Sequence, residues 1–352
     1  SRNVLAVAVA GGAAAEESGW EVMAATDRGL DVRSRDGSWD LYFGCGPIGN
    51  RITTVAVTAP QDEEEESIAW FGFGRDAQPL PGGGVSRFDP ATPDRAGAGG
   101  WWHLLGEANV RALATAPDGS LWAAAGCRVY HLAPSVAPDA LLSEPVSSWS
   151  LVADCDAFQG NVLDFAFEPG GAAWVATGFG LARFDGEAWQ TYDRLAYTVA
   201  VGPGDAVWVS GWQGTQGAEY VARFDGEAWT EVSDRSLQLL EATGGEIWGR
   251  AGEQGVARFD GDEWTFYDAV DGRSLASGSA LAAGPPSPDG TGPTVWVAGA
   301  GALFHFDGGS WTVYDLPALV ADSSITDMAV AVDGAVWLAT SHGALRFEPG
   351  GE

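Results

Sequence analysis

The sequence has 352 residues, and 46% of them are hydrophobic, which is typical of a folded chain and not of a disordered one. Its 48 acidic residues outnumber 18 basic ones, all arginine, and the formal net charge of −30 argues against a nucleic-acid partner because a phosphate backbone would be repelled. No apolar run approaches the roughly 20 residues of a membrane-spanning helix, so no membrane span is predicted.

The chain begins with an apolar segment, residues 4–10, that fits either the first strand of a repeat or the core of an export signal. Val7-Ala-Val9 matches Val55-Ala-Val57 further along, and in both places an acidic insertion separates the segment from the next tryptophan. We therefore interpret residues 4–10 as a strand.

Two kinds of hairpin alternate along the chain. One has a Phe-Asp-Gly turn followed by a tryptophan, and it occurs at 180–189, 220–229, 255–264 and 302–311. The other precedes it and has its own Asp-Gly turn, as at 110–122 and 325–337. Asp-Gly between alternating segments indicates a hairpin because glycine accepts the positive φ that the turn requires. The repeating unit is therefore four strands, which we call a to d.

The tryptophans follow this unit. Fifteen of the seventeen fall early in strand b (Trp20, Trp70, Trp122, Trp174, Trp208, Trp248, Trp296 and Trp337) or at the start of strand d (Trp39, Trp102, Trp149, Trp189, Trp229, Trp264 and Trp311). Trp101 and Trp212 lie outside this register. Successive strand-b tryptophans are between 34 residues (Trp174 to Trp208) and 52 residues (Trp122 to Trp174) apart, the period of four-stranded propeller blades.

We therefore predict an all-β chain that forms one β-propeller domain over residues 1–352, with four-stranded antiparallel blades. Eight strand-b tryptophans predict eight blades, and seven blades is the alternative. The predicted blades are 4–43, 51–106, 110–154, 162–193, 197–234, 237–268, 280–315 and 325–347. The last unit has no fourth strand, so we expect an incomplete blade that residues upstream of Ser1, a partner's strand or a second copy of the chain would close.

Two of the units allow a family to be named. Residues 331–347 (AVDGAVWLATSHGALRF) and 171–184 (GAAWVATGFGLARF) resemble the two-component-regulator propeller repeat. The resemblance covers residues 110–347 well and residues 4–106 loosely. It implies a propeller, and it implies a role of the kind such repeats have in sensor ectodomains, secreted binding proteins and lyase-like enzymes.

The two faces of the predicted ring differ. The a–b and c–d turns carry Asp118, Asp185, Asp225, Asp260, Asp307 and Asp333 on one face. These residues suit either a calcium surface or ordinary turn chemistry, and we favour turn chemistry because Asp-Gly is a common turn pair. We accordingly predict no metal and no cofactor, with calcium as the alternative.

The other face carries the variable b–c and d–a loops, where binding on a rigid scaffold is usually found. An exposed tryptophan beside glutamine and threonine could stack on a sugar or anchor a partner protein, although Trp212 could also fold back over its own blade. The predicted binding residues are Arg75, Phe179, Trp212, Gln213, Gln216 and His342. The predicted partner is a protein or a glycan.

The cysteines bear on the compartment. Cys127 and Cys155 belong to one unit and one face, so we predict a disulfide between them with Cys45 left free. The chain has no CxxC pair, which argues against a zinc site. A disulfide would favour export. We predict an extracellular or cell-surface location, with the periplasm as the alternative.

No catalytic set stands out among these residues. His131 and His305 occupy a strand-c position where other units have arginine, so we interpret both as structural. We predict a non-catalytic, exported binding or assembly propeller that uses its variable loop face or its open last blade. The alternative is a lyase or hydrolase with its site at the mouth of the central channel.

Overall fold

The computed structural model describes residues 4–8, 22–26, 29–33, 39–43, 52–59, 67–74, 84–88, 101–104, 109–134, 148–213, 218–235, 237–276, 278–287, 292–299, 301–316, 324–341 and 343–349. Only the backbone is described for residues 4–43 within these ranges, and for 101–104, 213 and 218. The described residues form strands and two short 3-10 turns, Pro203–Asp205 and Gly252–Gln254.

The strands form four-stranded antiparallel sheets in chain order. The first sheet has β1 (Val4–Ala8), β2 (Val22–Thr26), β3 (Gly29–Arg33) and β4 (Trp39–Phe43). The next has β5 (Ile52–Thr58), β6 (Ile68–Phe73), β7 (Gly84–Phe88) and β8 (Trp101–Leu104). The third has β9 (Val110–Thr115), β10 (Leu121–Ala125), β11 (Arg128–Leu132) and β12 (Ser150–Ala153).

The same pattern continues to the end of the described chain. The following sheets are β13 (Asp164–Phe167), β14 (Ala173–Ala176), β15 (Leu181–Phe184) and β16 (Trp189–Tyr192); β17 (Thr198–Val201), β18 (Val207–Gln213), β19 (Ala218–Phe224) and β20 (Trp229–Ser233); and β21 (Leu240–Thr243), β22 (Glu246–Arg250), β23 (Val256–Phe259) and β24 (Trp264–Tyr267). A short pair, β25 (Ala269–Val270) and β26 (Arg273–Ser274), precedes β27 (Gly278–Gly284), β28 (Thr294–Gly299), β29 (Ala302–Phe306) and β30 (Trp311–Asp315). The last sheet has β31 (Ile325–Val330), β32 (Val336–Thr340) and β33 (Gly343–Phe347).

Seven of these sheets form a closed ring. The first strands of the sheets lie side by side in the order β5, β9, β13, β17, β21, β27 and β31, and β31 returns to β5. The chain is therefore an all-β, seven-bladed propeller, which confirms the fold class and the seven-blade alternative. We number the blades I (β5–β8) to VII (β31–β33).

The prediction of eight blades is wrong, and the junction between β31 and β5 gives the reason. The Thr326 hydroxyl donates to the Ile52 carbonyl oxygen (2.7 Å), and the Asp327 carboxylate accepts from the Thr54 hydroxyl (2.7 Å). These bonds join the two blades directly and leave no gap for another blade. The sheet of β1 to β4 lies outside the ring, with β1 and β2 beside β33 of blade VII.

The core repeats the tryptophan register from blade to blade. Each strand-b tryptophan of the ring pairs across the sheet with a strand-c arginine or histidine, as Trp174 does with Arg183. The Arg183 guanidinium lies 5.9 Å from the Trp174 ring centroid and also pairs with Glu168, which holds the pKa of that carboxyl below its usual range. His305 stacks on Trp296 at 4.2 Å in the same position, which confirms that it is a structural substitution.

The acidic turns are capped by their own carboxylates. Asp185 accepts from the backbone N–H groups of Glu187 (2.9 Å) and Ala188 (2.8 Å), and Gly186 has a φ of +103°. These bonds hold the pKa of Asp185 below its usual value. The same arrangement recurs at Asp225, Asp260 and Asp307. The backbone thus occupies the side-chain oxygens of these turns.

Candidate binding site at the channel mouth

The innermost strands of the seven blades enclose a central cavity of about 440 Å³. These strands run in the same direction, so they can be aligned with one another. The reference position in each strand is the residue that pairs with the strand-b tryptophan. In that alignment each residue position forms a layer around the channel. The channel opens on the face of the b–c and d–a loops, where the inner strands begin.

The outermost layer mixes polar and apolar side chains. It comprises Thr53, Arg111, Leu163, Tyr197, Gln238, Ser279 and Thr326, three residues before the aligned position. Arg111 and Gln238 are exposed there, and both line the cavity. The mouth therefore offers one cation, several hydrogen-bonding groups and one aromatic ring to a ligand.

An apolar patch adjoins this mouth on blades III and IV. Phe179 is 69% exposed, Trp212 is 46% exposed and Leu163 is 37% exposed. The Trp212 ring meets the Tyr197 ring edge-on, with centroids 5.1 Å apart. We call Leu163, Phe179, Tyr197 and Trp212 the apolar patch.

Two glycines with positive φ allow the patch to form. A Cβ on Gly178 (φ +75°) would lie 3.1 Å from the Leu163 side chain, and one on Gly160 (φ +87°) would lie 2.6 Å from the Phe179 ring. The Gly178 N–H donates to the carbonyl oxygen of Ala196 (2.7 Å), next to Tyr197. The hairpin that carries Phe179 is thereby fixed against blade IV.

The predicted site residues divide between described and undescribed positions. Phe179 and Trp212 both lie in the apolar patch. Trp212 belongs to β18 and pairs with Glu219, so its placement in a loop was wrong: the b–c hairpin of blade IV extends further than its glycines suggest. Gln213 ends β18, and only its backbone is described. Arg75, Gln216 and His342 lie outside the described residues.

Two partly buried aspartates lie in the next layer, and neither is among the predicted site residues. Asp164 accepts from the Thr198 hydroxyl (2.6 Å) and the Val199 N–H (2.9 Å) of the following blade. Asp327 accepts in the same way from the Thr54 hydroxyl (2.7 Å) and the Val55 N–H (2.9 Å). We call each of these arrangements a clasp. Burial raises the pKa of Asp164 to about 6, and it raises that of Asp327 as well.

Each clasp reaches a third blade through its threonine. Thr198 also accepts from the Leu240 N–H (3.1 Å), and Thr54 accepts from the Leu113 N–H (3.2 Å). One clasp therefore links blades III, IV and V, and the other links blades VII, I and II. The signal in the sequence was an acidic residue two positions before the alanine that pairs with the strand-b tryptophan, as in Leu163-Asp-Phe-Ala-Phe167 and Thr326-Asp-Met-Ala-Val330.

Glu241 is the third acidic residue of the channel. It lies on β21 of blade V, pairs with Trp248 and lines the cavity. Burial raises the pKa of its carboxyl to about 8, and the charges of Asp164 and Asp327 add to that effect. Within the described part of the chain, no three His, Cys, Asp or Glu side chains are grouped so as to hold a metal ion.

Cys127 and Cys155 are paired on the loop face of blade II. Their Cα atoms are 4.9 Å apart, and the bond joins the b–c hairpin to the segment after strand d. An ion pair between Arg128 and Asp154 (2.9 Å) lies beside it. Cys45 is outside the described residues.

Comparison with known proteins yields structural likeness only. No family model matches the chain, and no curated protein matches it. A streptogramin B lyase shares 14% identity at a TM-score of 0.60, over 87% of this chain and 95% of that one. YCF48 bound to a D1 peptide shares 14% identity at a TM-score of 0.55, over 86% of this chain and 93% of that one. The extracellular domain of BT3049 from B. thetaiotaomicron, assigned to the hybrid two component systems, shares 11% identity at a TM-score of 0.59. The match covers 94% of this chain and 50% of that one.

These likenesses establish the propeller fold. At 11 to 14% identity they carry no activity across to this chain. The structural neighbours include extracellular domains of two-component-type proteins. The described residues include no helix with the length and apolar character that a bilayer crossing requires.

Proposed function

We propose that this chain is a non-catalytic, exported binding propeller that holds a protein or glycan partner on its loop face. The observation that carries the proposal is the apolar patch, where Leu163, Phe179 and Trp212 are exposed on the loop face of blades III and IV. Large aromatic side chains left in water on a rigid scaffold are typical anchors for partners. The polar groups of the mouth would fix the orientation of what binds.

Further features support export and membership of the two-component-regulator repeat family. The Cys127–Cys155 pair suits an oxidising compartment. Extracellular domains are among the structural neighbours, and one neighbour was solved with a peptide bound. Strand addition at β33, the outermost described strand of blade VII, in place of the neighbouring β1 and β2, is a second way in which a partner or another copy could be engaged.

One observation favours a second candidate, a lyase or hydrolase acting in the channel. Asp164 and Glu241 share one cavity, and burial raises their pKa values to about 6 and about 8. Carboxyls in this range can donate and accept protons at neutral pH. Mass spectrometry of a bound ligand separates the two candidates, because a binding protein returns its ligand unchanged and an enzyme returns a product.

The test begins with a glycan array and a random-peptide display library, and the tightest ligand is then measured by calorimetry. We expect Phe179→Ala and Trp212→Ala each to weaken binding about tenfold or more, because each removes an aromatic anchor. Phe266→Ala is the matched control, since Phe266 is also exposed but lies on β24, outside the patch. Equal affinity in all four proteins, or no ligand for the unmodified chain, would contradict the proposal.

A further inference from the structure

Glu241 occupies a position at which every other blade of the ring has the same small residue. At the position that pairs with the strand-b tryptophan, the other six blades all have alanine: Ala56, Ala114, Ala166, Ala200, Ala282 and Ala329. Blade V alone places a carboxyl there. Since alanine satisfies the packing at six of seven equivalent positions, the architecture of the ring does not require the carboxyl.

The Glu241 carboxyl is partly buried at the cavity wall, and it has no hydrogen-bond or ion-pair partner among the described residues. Asp164 and Asp327 are each held by their clasps, whereas no donor is supplied to Glu241. Glu246, on the neighbouring β22, is already paired with Arg258 and Trp248. The other titratable groups around the cavity are Arg111 and Tyr197, which belong to the mouth layer.

Glu241 lies deep in the channel, in the layer of residues that pair with the strand-b tryptophans. It lies two residues further from the mouth than the layer of Asp164 and Asp327, which is about 7 Å along a strand. Alanines from four blades line the cavity with it: Ala56, Ala114, Ala282 and Ala329. A ligand that reached Glu241 from the mouth would pass Asp164 and Asp327, whose oxygens already accept hydrogen bonds, and would then meet a carboxyl that has no donor.

We propose that the channel binds an alkylammonium group, with the ammonium paired with Glu241 inside the alanine layer and the aliphatic stem directed towards the mouth. A buried carboxylate is stable only when it is paired, and a cation is the partner that a carboxyl without donors selects. The net charge of −30 attracts cations towards the channel. An ammonium is compact and donates in several directions, so it suits one acceptor in a narrow space better than a planar guanidinium.

Binding of the ammonium should release a proton. The raised pKa of about 8 leaves Glu241 mostly protonated at pH 7, and pairing with a cation ionises it. Calorimetry in two buffers with different ionisation enthalpies and no primary amine, such as phosphate and HEPES, measures the protons released. This inference does not depend on the partner of the apolar patch, because it concerns a different group at a different depth.

The experiment titrates pentylamine into the full chain at pH 7, with 1-pentanol as the neutral control. We expect saturable binding of one pentylamine, with release of close to one proton. Glu241→Ala and Glu241→Gln should each weaken binding at least tenfold and abolish the proton release. Glu227→Gln, which makes the same substitution in an exposed turn, should bind as the unmodified chain does.

Two variants of Glu241 distinguish a loss of binding from a loss of folding. Glu241→Ala installs the residue of the other six blades, and Glu241→Gln keeps the side-chain volume; circular dichroism checks both. Absence of pentylamine binding, equal binding of pentanol, or unchanged binding in both variants would overturn the proposal. A blocked lysine, Nα-acetyl-lysine methylamide, identifies the source of the ammonium. If it displaces pentylamine, the proposal holds with a partner's lysine as ligand; if it does not, the proposal holds with a free amine.

Discussion

At the residue scale, most of what specifies this fold is aromatic. The seven strand-b tryptophans of the ring are buried, and six of them contact an arginine or histidine of strand c, as Trp248 contacts Arg258 at 5.7 Å. These positions could be predicted because they recur with the period of the blades. Asp164, Asp327 and Glu241 could not be singled out by type among 48 acidic residues, although aligning the strands on their tryptophans would have placed Glu241 among alanines.

Glu241 also makes a prediction about stability. Its folded pKa of about 8 lies above the ordinary value of 4.5, so folding favours the protonated form. The contribution of Glu241 to the stability of the unmodified chain should therefore be complete below about pH 4.5 and be lost as the pH rises to about 8, by at most about 1.4 kcal/mol per pH unit. Glu241→Ala removes that loss.

Denaturant unfolding at pH 5 and pH 8 measures the effect. We expect the free energy of unfolding of Glu241→Ala, relative to that of the unmodified chain, to increase by on the order of 2 to 4 kcal/mol between the two pH values. Glu227→Gln again serves as the control. Parallel pH dependence in all three proteins would mean that the carboxyl titrates in the folded chain as it does in water.

At the scale of strands, the hairpins and the clasps have different origins. The Asp-Gly hairpins are local, so the sequence predicted them: Gly186 has positive φ and Asp185 caps the turn, as the residue pair requires. The clasps join residues that are far apart in the chain, such as Asp327 and Thr54. No single-strand pattern contains that information, because the partner threonine becomes apparent only when two blades are placed side by side.

The clasp of Thr198 should contribute measurably to stability. Thr198→Val keeps the shape of the side chain, but it removes the donor to Asp164 and the acceptor for the Leu240 N–H. We expect a loss of about 1 to 3 kcal/mol in the free energy of unfolding, because a buried carboxyl loses a hydrogen bond. Thr230→Val, at an exposed position of the same blade, should change it by less than about 0.5 kcal/mol. Equal effects of the two substitutions would show that the clasp adds no stability.

At the scale of the molecule, the number of blades is a property of ring closure. The sequence predicted strand order, the four-stranded units and the propeller, and the structure agrees with each of these. The predicted number of blades was too high because residues 4–43 carry the same local pattern as the blades of the ring. The contact of β31 with β5 closes the ring without those residues. That junction also brings Asp327 into the same channel as Asp164 and Glu241.

The most direct test of this account is therefore a cross-link between the first and last blades of the ring. In a Cys45→Ser background, the Thr54→Cys and Asp327→Cys pair should form a disulfide, because the two side chains are hydrogen-bonded at 2.7 Å. Thr198→Cys with Asp164→Cys, the equivalent pair between blades III and IV, is the positive control. Peptide mapping by mass spectrometry should find both cross-links. If only the control pair links and the thiols at 54 and 327 stay free, another blade separates them and the seven-bladed ring is wrong.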